Sequence, residues 1–520
     1  HTLQVGRRAF AHRRALVAGS TLEAAQLCAS RDPGRVHAQL APEQAQKLVY
    51  MFPGGGAQYA DMGRELHEQE PVYRAELDRC LEILKPRTGD LRPLLFPAAG
   101  EREAASKQLE RPSLSLPTLF ATEWALAKLW MSWGAPPVAM IGHSMGEYTA
   151  ACLAGVFSLE DALALVTVRG QLFEKVEPSG MLSVPLSAAE LEPLLGSELS
   201  IAAINGSSLT VASGPNAAIE ELAKRLEARE VDAQRVHIAI AAHSKMLDPI
   251  LPEFGRFTRT IRYAEPKLPF ASNVTGKLIT AREATDPDYW VRHLRGTVRF
   301  LDGLDTVFAE PNRALLEVGP GRTLSTFGRA RATELGKQTT SLSSLRHVKE
   351  QIGDLEYLST VYAKLWLGGV ELDFAAYREG QERRRVPLPT YPFEHQRHWI
   401  EPGKREATKA TPSLAKKPDL ADWFYFPRFE RQPLLRGAPR PSSILLVGGG
   451  AFAEALAASL RTEGHTLTVA LSGEGLEQTT AELFRVDLGS ATDHERLLGE
   501  LAAQGRSPEV LIFAAGTEGA

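Results

Sequence analysis

The feature that most constrains this chain is Gly142-His143-Ser144-Met145-Gly146, set between the apolar run Val138-Ala-Met-Ile141 and a helix-forming stretch that begins near Glu147. A serine between glycines at a strand-to-helix turn is the arrangement of a nucleophile elbow. The glycines permit a turn sharp enough to lift the hydroxyl clear of the backbone. The helix start supplies free N–H groups and a positive dipole end for a developing oxyanion. Such an elbow needs a strand behind it and a helix ahead, which commits the chain to α/β layers. The plainer reading of the same residues is a Gly-flanked serine N-cap.

Other segments fit that architecture. Lys47-Leu-Val-Tyr-Met-Phe52 reads as a buried strand halted by Pro53-Gly54-Gly55-Gly56, and Leu119 to Trp130 as an amphipathic helix. Strands alternating with helices predict a mainly parallel sheet. Between Leu182 and His243 the rhythm changes to four short strands and two helices, as in a ferredoxin-like insert at about 181–243. Residues 1–47 alternate charged and Ala-rich stretches and read as short helices. The polar stretch from Pro402 to Pro418 reads as a flexible linker, and Ser442-Ser-Ile-Leu-Leu-Val-Gly448 opens a separate α/β unit that the chain leaves unfinished.

Composition removes several classes of function. A chain of 520 residues exceeds one hydrophobic core, so several domains are expected. A hydrophobic share of 44% with 23% charged residues is that of a soluble globular protein. The net charge of −4 gives no electrostatic case for nucleic acid or a membrane surface. Three cysteines without a CxxC pair fit a reducing cytoplasm and suggest neither disulfides nor a metal site. No apolar run approaches the ~18 residues of a spanning helix. The start, His1-Thr-Leu-Gln-Val, has no initiator Met and no signal peptide, and reads as a piece cut from a longer polypeptide.

A serine nucleophile needs a base, and thirteen histidines are on offer. His143 adjoins Ser144, where side chains on a sharp turn diverge. His243, in Ile240-Ala241-Ala242-His243-Ser244, ends an apolar stretch and precedes the turn formers Asp248-Pro249, a position that suits a reactive side chain. Spacing alone also leaves a core or capping role open for it. His37, His67, His237, His293, His395 and His398 are more simply packing or surface residues.

At this point a resemblance becomes specific. Phe52-Pro-Gly-Gly-Gly-Ala-Gln58, Gly142-His-Ser-Met-Gly-Glu147, Arg169, Ala203-Ile-Asn-Gly206, Ala242-His-Ser244 and Glu317-Val-Gly-Pro-Gly321 occur in the order found in malonyl-CoA:ACP-type acyltransferases. The surrounding sequence is similar to the type I modular polyketide synthase branch. Leu388-Pro-Thr-Tyr-Pro-Phe393, closing with Trp399, resembles that family's post-acyltransferase linker, and residues 3–17 resemble the end of the linker after a ketosynthase.

The resemblance implies an acyltransferase with an α/β-hydrolase-like large subdomain at 48–330 and a ferredoxin-like small one. Residues 1–47 would be the linker end, 331–403 the post-acyltransferase region, 404–420 a flexible linker and 421–520 a truncated ketoreductase structural subdomain. It implies that Ser144 attacks an acyl-CoA thioester, His243 serves as base, and the acyl group passes to the phosphopantetheine of an acyl carrier protein. It further implies an oxyanion hole from the backbone N–H of Gly55 and Met145, a carbonyl of His293 orienting His243, and Arg169 gripping a free carboxylate. A planar fork suits that task better than Lys. The ketosynthase and ketoreductase of the same polypeptide would be further partners, and no cofactor is expected to be bound.

The acyl group is set by Ile240-Ala-Ala-His243, which is neither the His-Ala-Phe-His of malonyl relatives nor the Tyr-Ala-Ser-His of methylmalonyl ones. Ala242 leaves room where Phe would exclude a branch, a difference worth roughly 1–3 kcal/mol. Met145 in place of the Gln of methylmalonyl relatives tips the reading to malonyl. Leu446-Val-Gly-Gly-Gly-Ala-Phe-Ala453 has dinucleotide-fingerprint spacing, yet no Tyr/Lys reductase pair follows, which favours a structural role. The rival readings are a GxSxG hydrolase with Asp161 or Asp232 as its acid, and a non-catalytic scaffold.

Overall fold

A computed structural model describes residues 1–236, 240–393, 419 and 441–514. Trp399, the stretch 402–418, and His237, His395 and His398 lie outside these residues.

The chain divides into two compact units, residues 1–393 and 394–520. The first is built on a five-stranded sheet in the order Ser341–Ser343, Arg313–Glu317, Lys47–Phe52, Ala139–Gly142 and Phe270–Ala271. All its pairings are parallel. Lys47–Phe52 is central and buried at every residue after Lys47, the continuous apolar pattern of a strand covered on both faces. Leu119 to Trp130 is part of a longer helix, Pro112–Ser132, with Phe120, Trp124 and Trp130 among its buried residues. It is buried around most of its circumference rather than amphipathic, because helices Pro71–Thr88 and Leu159–Phe173 pack on it.

The small insert contains strands Ser179–Val184, Ser200–Gly206, Leu209–Pro215 and Gln234–Arg235, with helices Ala188–Leu191 and Asn216–Glu227. In chain order this is βαββαβ, and the sheet runs fourth, first, third, second strand with every neighbour antiparallel. Ile219, Leu222 and Leu226 form the buried stripe of the longer helix. The insert is stitched to the main body where Val298 N–H donates to the Ala202 carbonyl and Ile204 N–H to the Val298 carbonyl, both at 2.9 Å.

Two places differ from the sequence expectation. Residues 1–47 hold an antiparallel strand pair, His12–Leu16 with Val36–Leu40, besides helices Thr2–Gly6 and Thr21–Ser30. The strands are rich in Arg, His and Gln because much of the pair faces solvent. Beyond residue 330, Ser341–Ser343 forms the edge of the main sheet and helix Asp354–Leu367 carries buried Leu358, Val361, Tyr362 and Leu365. The first unit therefore carries its main sheet past the expected boundary at residue 330.

In the second unit, Ser443–Val447, Thr466–Ser472, Leu483–Val486 and Val510–Phe513 are parallel neighbours, with Glu477–Thr480 antiparallel at the edge. The parallel strands lie in the order third, second, first, fourth. Gly448 and Gly450, with φ of 125° and 90°, turn the first strand into helix Gly450–Thr462. Among the described residues no helix is long and apolar enough to cross a membrane.

Candidate active site

Strand Ala139–Gly142 and helix Gly146–Leu153 hold Ser144 between them. Ser144 has φ of 52°, the left-handed region that costs a residue with a Cβ about 1–3 kcal/mol unless its surroundings enforce it. The flanking glycines are steric requirements. A Cβ on Gly146 would lie 2.0 Å from the Phe52 carbonyl oxygen, and one on Gly142 would lie 2.1 Å from the Glu147 nitrogen. Gly146→Ala is therefore expected to destabilise the chain by at least about 1–3 kcal/mol, seen as a lower urea midpoint, and to displace the Ser144 hydroxyl. An unchanged midpoint would mean that the elbow has slack.

His243 Nε2 lies 2.7 Å from Ser144 Oγ. His243 is 3% exposed and also has a left-handed φ, 57°. Its loop is fastened by serines: Ala241 N–H donates to Ser179 Oγ at 2.6 Å, Ser213 Oγ to the Ala242 carbonyl at 2.8 Å, and Ser244 Oγ to the Ala241 carbonyl at 2.7 Å. Ile240 is buried and Ala242 half-buried beside this loop.

The carbonyl that orients His243 belongs to Gly296, 2.8 Å from Nδ1, and not to His293. His293 sits in the last turn of helix Pro287–Arg295, whereas Gly296 follows the helix end in extended conformation and can turn its carbonyl toward the imidazole. A carbonyl only accepts, so Nδ1 carries the proton and Nε2 presents its lone pair to Ser144. The His293 side chain is buried instead, with Nε2 3.4 Å from Glu147 Oε2. With Nδ1 taken, the third member of a hydrolase triad has no place. Asp161 lies in the first turn of helix Leu159–Phe173, and Asp232 is exposed ahead of Gln234–Arg235. His143 is engaged elsewhere, with Nε2 2.8 Å from Asn205 Oδ1.

Burial holds the His243 pKa well below its ordinary 6.5, and the charge of Arg169 and the nearby His293 and His143 lower it further. Arg169, on helix Leu159–Phe173, is 1% exposed and donates through Nη2 to Ser144 Oγ at 2.7 Å. The Tyr148 and Phe173 rings lie 5.3 and 5.2 Å from its guanidinium carbon. Its Nε and Nη1 are buried without an acceptor, and no carboxylate pairs with it among the described residues. A buried guanidinium left this way is costly unless an anion completes it.

Among the described residues neither the Gly55 nor the Met145 N–H donates a hydrogen bond. The Ser144 N–H donates to Asn273 Oδ1 at 2.7 Å. Sequence reasoning passed over Gly296 and Asn273. The first acts through a backbone atom that leaves no side-chain signature. The second lies in Ser272-Asn-Val-Thr-Gly276, an Asn-and-Gly turn after a two-residue strand too short to leave a pattern of its own.

Fold and site together define an α/β enzyme with a Ser–His pair and a buried guanidinium at the nucleophile. A sequence profile of the acyl transferase domain matches residues 49–371. A phenolphthiocerol/phthiocerol polyketide synthase of Mycobacterium tuberculosis is 35% identical over 363 residues, 70% of this chain and 24% of that protein. Among solved structures, the acyl transferase domain of ZmaA aligns with a TM-score of 0.70 and 40% identity, covering 75% of this chain and 90% of that one. The acyl transferase domain of SpnD, in complex with 2-(pent-4-yn-1-yl)malonyl, aligns with a TM-score of 0.64 and 37% identity, covering 72% and 88%. The chain belongs to the acyl transferase domain family, in the branch of type I modular polyketide synthases. It spans about a quarter of the length of that mycobacterial relative.

Proposed function

We propose that this chain moves a malonyl-type extender unit from CoA to the phosphopantetheine thiol of an acyl carrier protein. Ser144 Oγ attacks the thioester carbonyl as its proton passes to His243 Nε2, and the oxyanion is held by the N–H groups of Gly55 and Met145. Collapse expels the CoA thiolate, which takes the proton from His243. The carrier thiol then repeats the sequence in reverse on acyl-Ser144. The observation that carries this reading is Arg169, buried beside the nucleophile with two nitrogens unsatisfied. A free carboxylate on the acyl group would complete it. The malonyl derivative on the SpnD domain has such a carboxylate, and that domain is 37% identical.

Arg169→Ala is expected to lower kcat/KM for malonyl- or methylmalonyl-CoA at least about tenfold, the size of one charge-assisted bond. Acetyl-CoA, which lacks the anchor, should load equally well or better. The readout is the ratio of the two specificity constants in parent and variant, and a ratio that stays put overturns the carboxylate role. Malonyl is favoured as the acyl group, with Met145 and the Ile240–Ala242 approach forming the pocket.

The βαββαβ order of the insert supports its reading as ferredoxin-like. The third-second-first-fourth strand order of the second unit supports a Rossmann-like ketoreductase structural subdomain. Residues 1–47 would then be the end of a linker after a ketosynthase, and residues 404–420 the flexible linker to that ketoreductase.

A further inference from the structure

We propose that Asn273 is a positioning residue of acyl transfer, setting the elbow by bridging the backbone on both sides of its turn. The proposal rests on the reading of Ser144 as the acylated nucleophile. Asn273 is 3% exposed and follows the short strand Phe270–Ala271. That strand pairs with the nucleophile strand at only two positions, Met140 with Phe270 and Ile141 with Ala271. Where the ladder stops, the Asn273 side chain continues it. Its Nδ2 donates to the Gly142 carbonyl and its Oδ1 accepts from Ser144 N–H, both at 2.7 Å. A primary amide offers the donor and acceptor of a peptide group, so it stands in for one more residue of strand. Its orientation follows from its neighbours, since one is a carbonyl and the other an N–H.

Asn273 is itself fixed at both backbone groups. Its N–H donates to Glu147 Oε2 at 2.6 Å, and its carbonyl accepts from Arg299 N–H at 2.9 Å. Glu147 Oε1 accepts from the Tyr289 hydroxyl, so the helix after the elbow is tied to the residue that braces the elbow. The brace has two effects on the chemistry. It holds Ser144 in its left-handed conformation, with Oγ on the His243 side. It also withdraws the Ser144 N–H, leaving Met145 and Gly55 as the oxyanion donors.

The test is single-turnover acylation of the 520-residue chain by malonyl-CoA, followed by intact mass, for Asn273→Ala and Asn273→Asp. Both are expected to slow acylation at least about tenfold, because a nucleophile displaced by a fraction of an ångström loses its attack geometry. The half-saturating malonyl-CoA concentration should stay within about twofold, since the Arg169 grip is untouched. Asn273→Asp keeps the volume and the acceptor toward Ser144 but sets an oxygen against the Gly142 carbonyl, which separates hydrogen bonding from bulk. Thermal unfolding checks the fold, and Asn273→Asp decides if Asn273→Ala does not fold. An Asn273→Asp chain that acylates at the parental rate, or loses only affinity, overturns the proposal, as does failure of both variants to fold. Ser144→Ala is run alongside: if that variant still acylates, the nucleophile reading itself has failed. If it is silent, a fast Asn273→Asp counts against Asn273 alone.

Discussion

Replacing Ser144 by alanine is expected to leave a folded chain that takes up no acyl group from malonyl-CoA. The Ser144 hydroxyl lies within 2.7 Å of both His243 Nε2 and Arg169 Nη2, so no other hydroxyl can inherit the reaction without moving both partners. Alanine keeps the Cβ, so it meets the same backbone constraint at φ of 52°. The N–H bond to Asn273 and the glycine contacts are unaffected. The loss to stability is that of a half-buried hydroxyl, about 1 kcal/mol. Intact mass after incubation with malonyl-CoA should show only the unmodified chain, with a thermal midpoint close to the parent. An adduct on another residue would falsify the assignment.

The second large effect is expected at His243. Removing a general base typically costs 10²–10⁴-fold, so His243→Ala should acylate at least about a hundred times more slowly. Arg169 would then meet the Ser144 hydroxyl alone, and a cation donating to an oxygen makes it no better nucleophile. The pH profile gives a second check. Burial and the Arg169 charge lower the His243 pKa well below 6.5, which keeps the imidazole neutral, with a free lone pair, through neutral pH. The acid limb of the parental rate profile should therefore lie below pH 6.5. In Arg169→Ala, followed with acetyl-CoA, one of the charges that depress the imidazole is gone, and the limb should move to higher pH. A limb that stays in place would mean that the ionisation read in the profile is not that of His243. Loading unchanged in His243→Ala would remove the dyad altogether.

The elbow was legible because strand, Gly-Ser-Gly turn and helix are adjacent in sequence, and their apolar and glycine pattern is local. Arg169 was legible only through resemblance. Its significance comes from burial at the nucleophile, and a helical arginine in Val168-Arg-Gly-Gln171 has no sequence mark of that. The bond from His243 to Gly296 could not be read, since any residue has a carbonyl and only the end of helix Pro287–Arg295 decides which one faces the imidazole. Strands Phe270–Ala271 and Ser341–Ser343 are two and three residues long. They exist because the neighbouring strands template them, and so they leave no period of their own. The strands in residues 1–47 were hidden for a related reason. A solvent-facing pair needs little apolar alternation, and its charged residues suggest helix.

The carbonyl at Gly296 bears on what the acyl-enzyme reacts with next. An imidazole backed by a carboxylate has a full negative charge beside it when it becomes protonated, which strengthens it as a base. One backed by a neutral dipole and facing a guanidinium gains far less, and His243 is of this second kind. As the base of the reaction it remains weak. A thiol of pKa roughly 8.5 yields its proton to such a base more readily than water at about 15.7, whereas Ser144, as weak an acid as water, is helped by being held in place beside the imidazole. Acid strength thus sorts the two acceptors before shape does. The ester on Ser144 would outlast its encounters with solvent and yield to the sulfur of the carrier arm, so a chain with a hydrolase-like elbow can behave as a store of activated acyl groups.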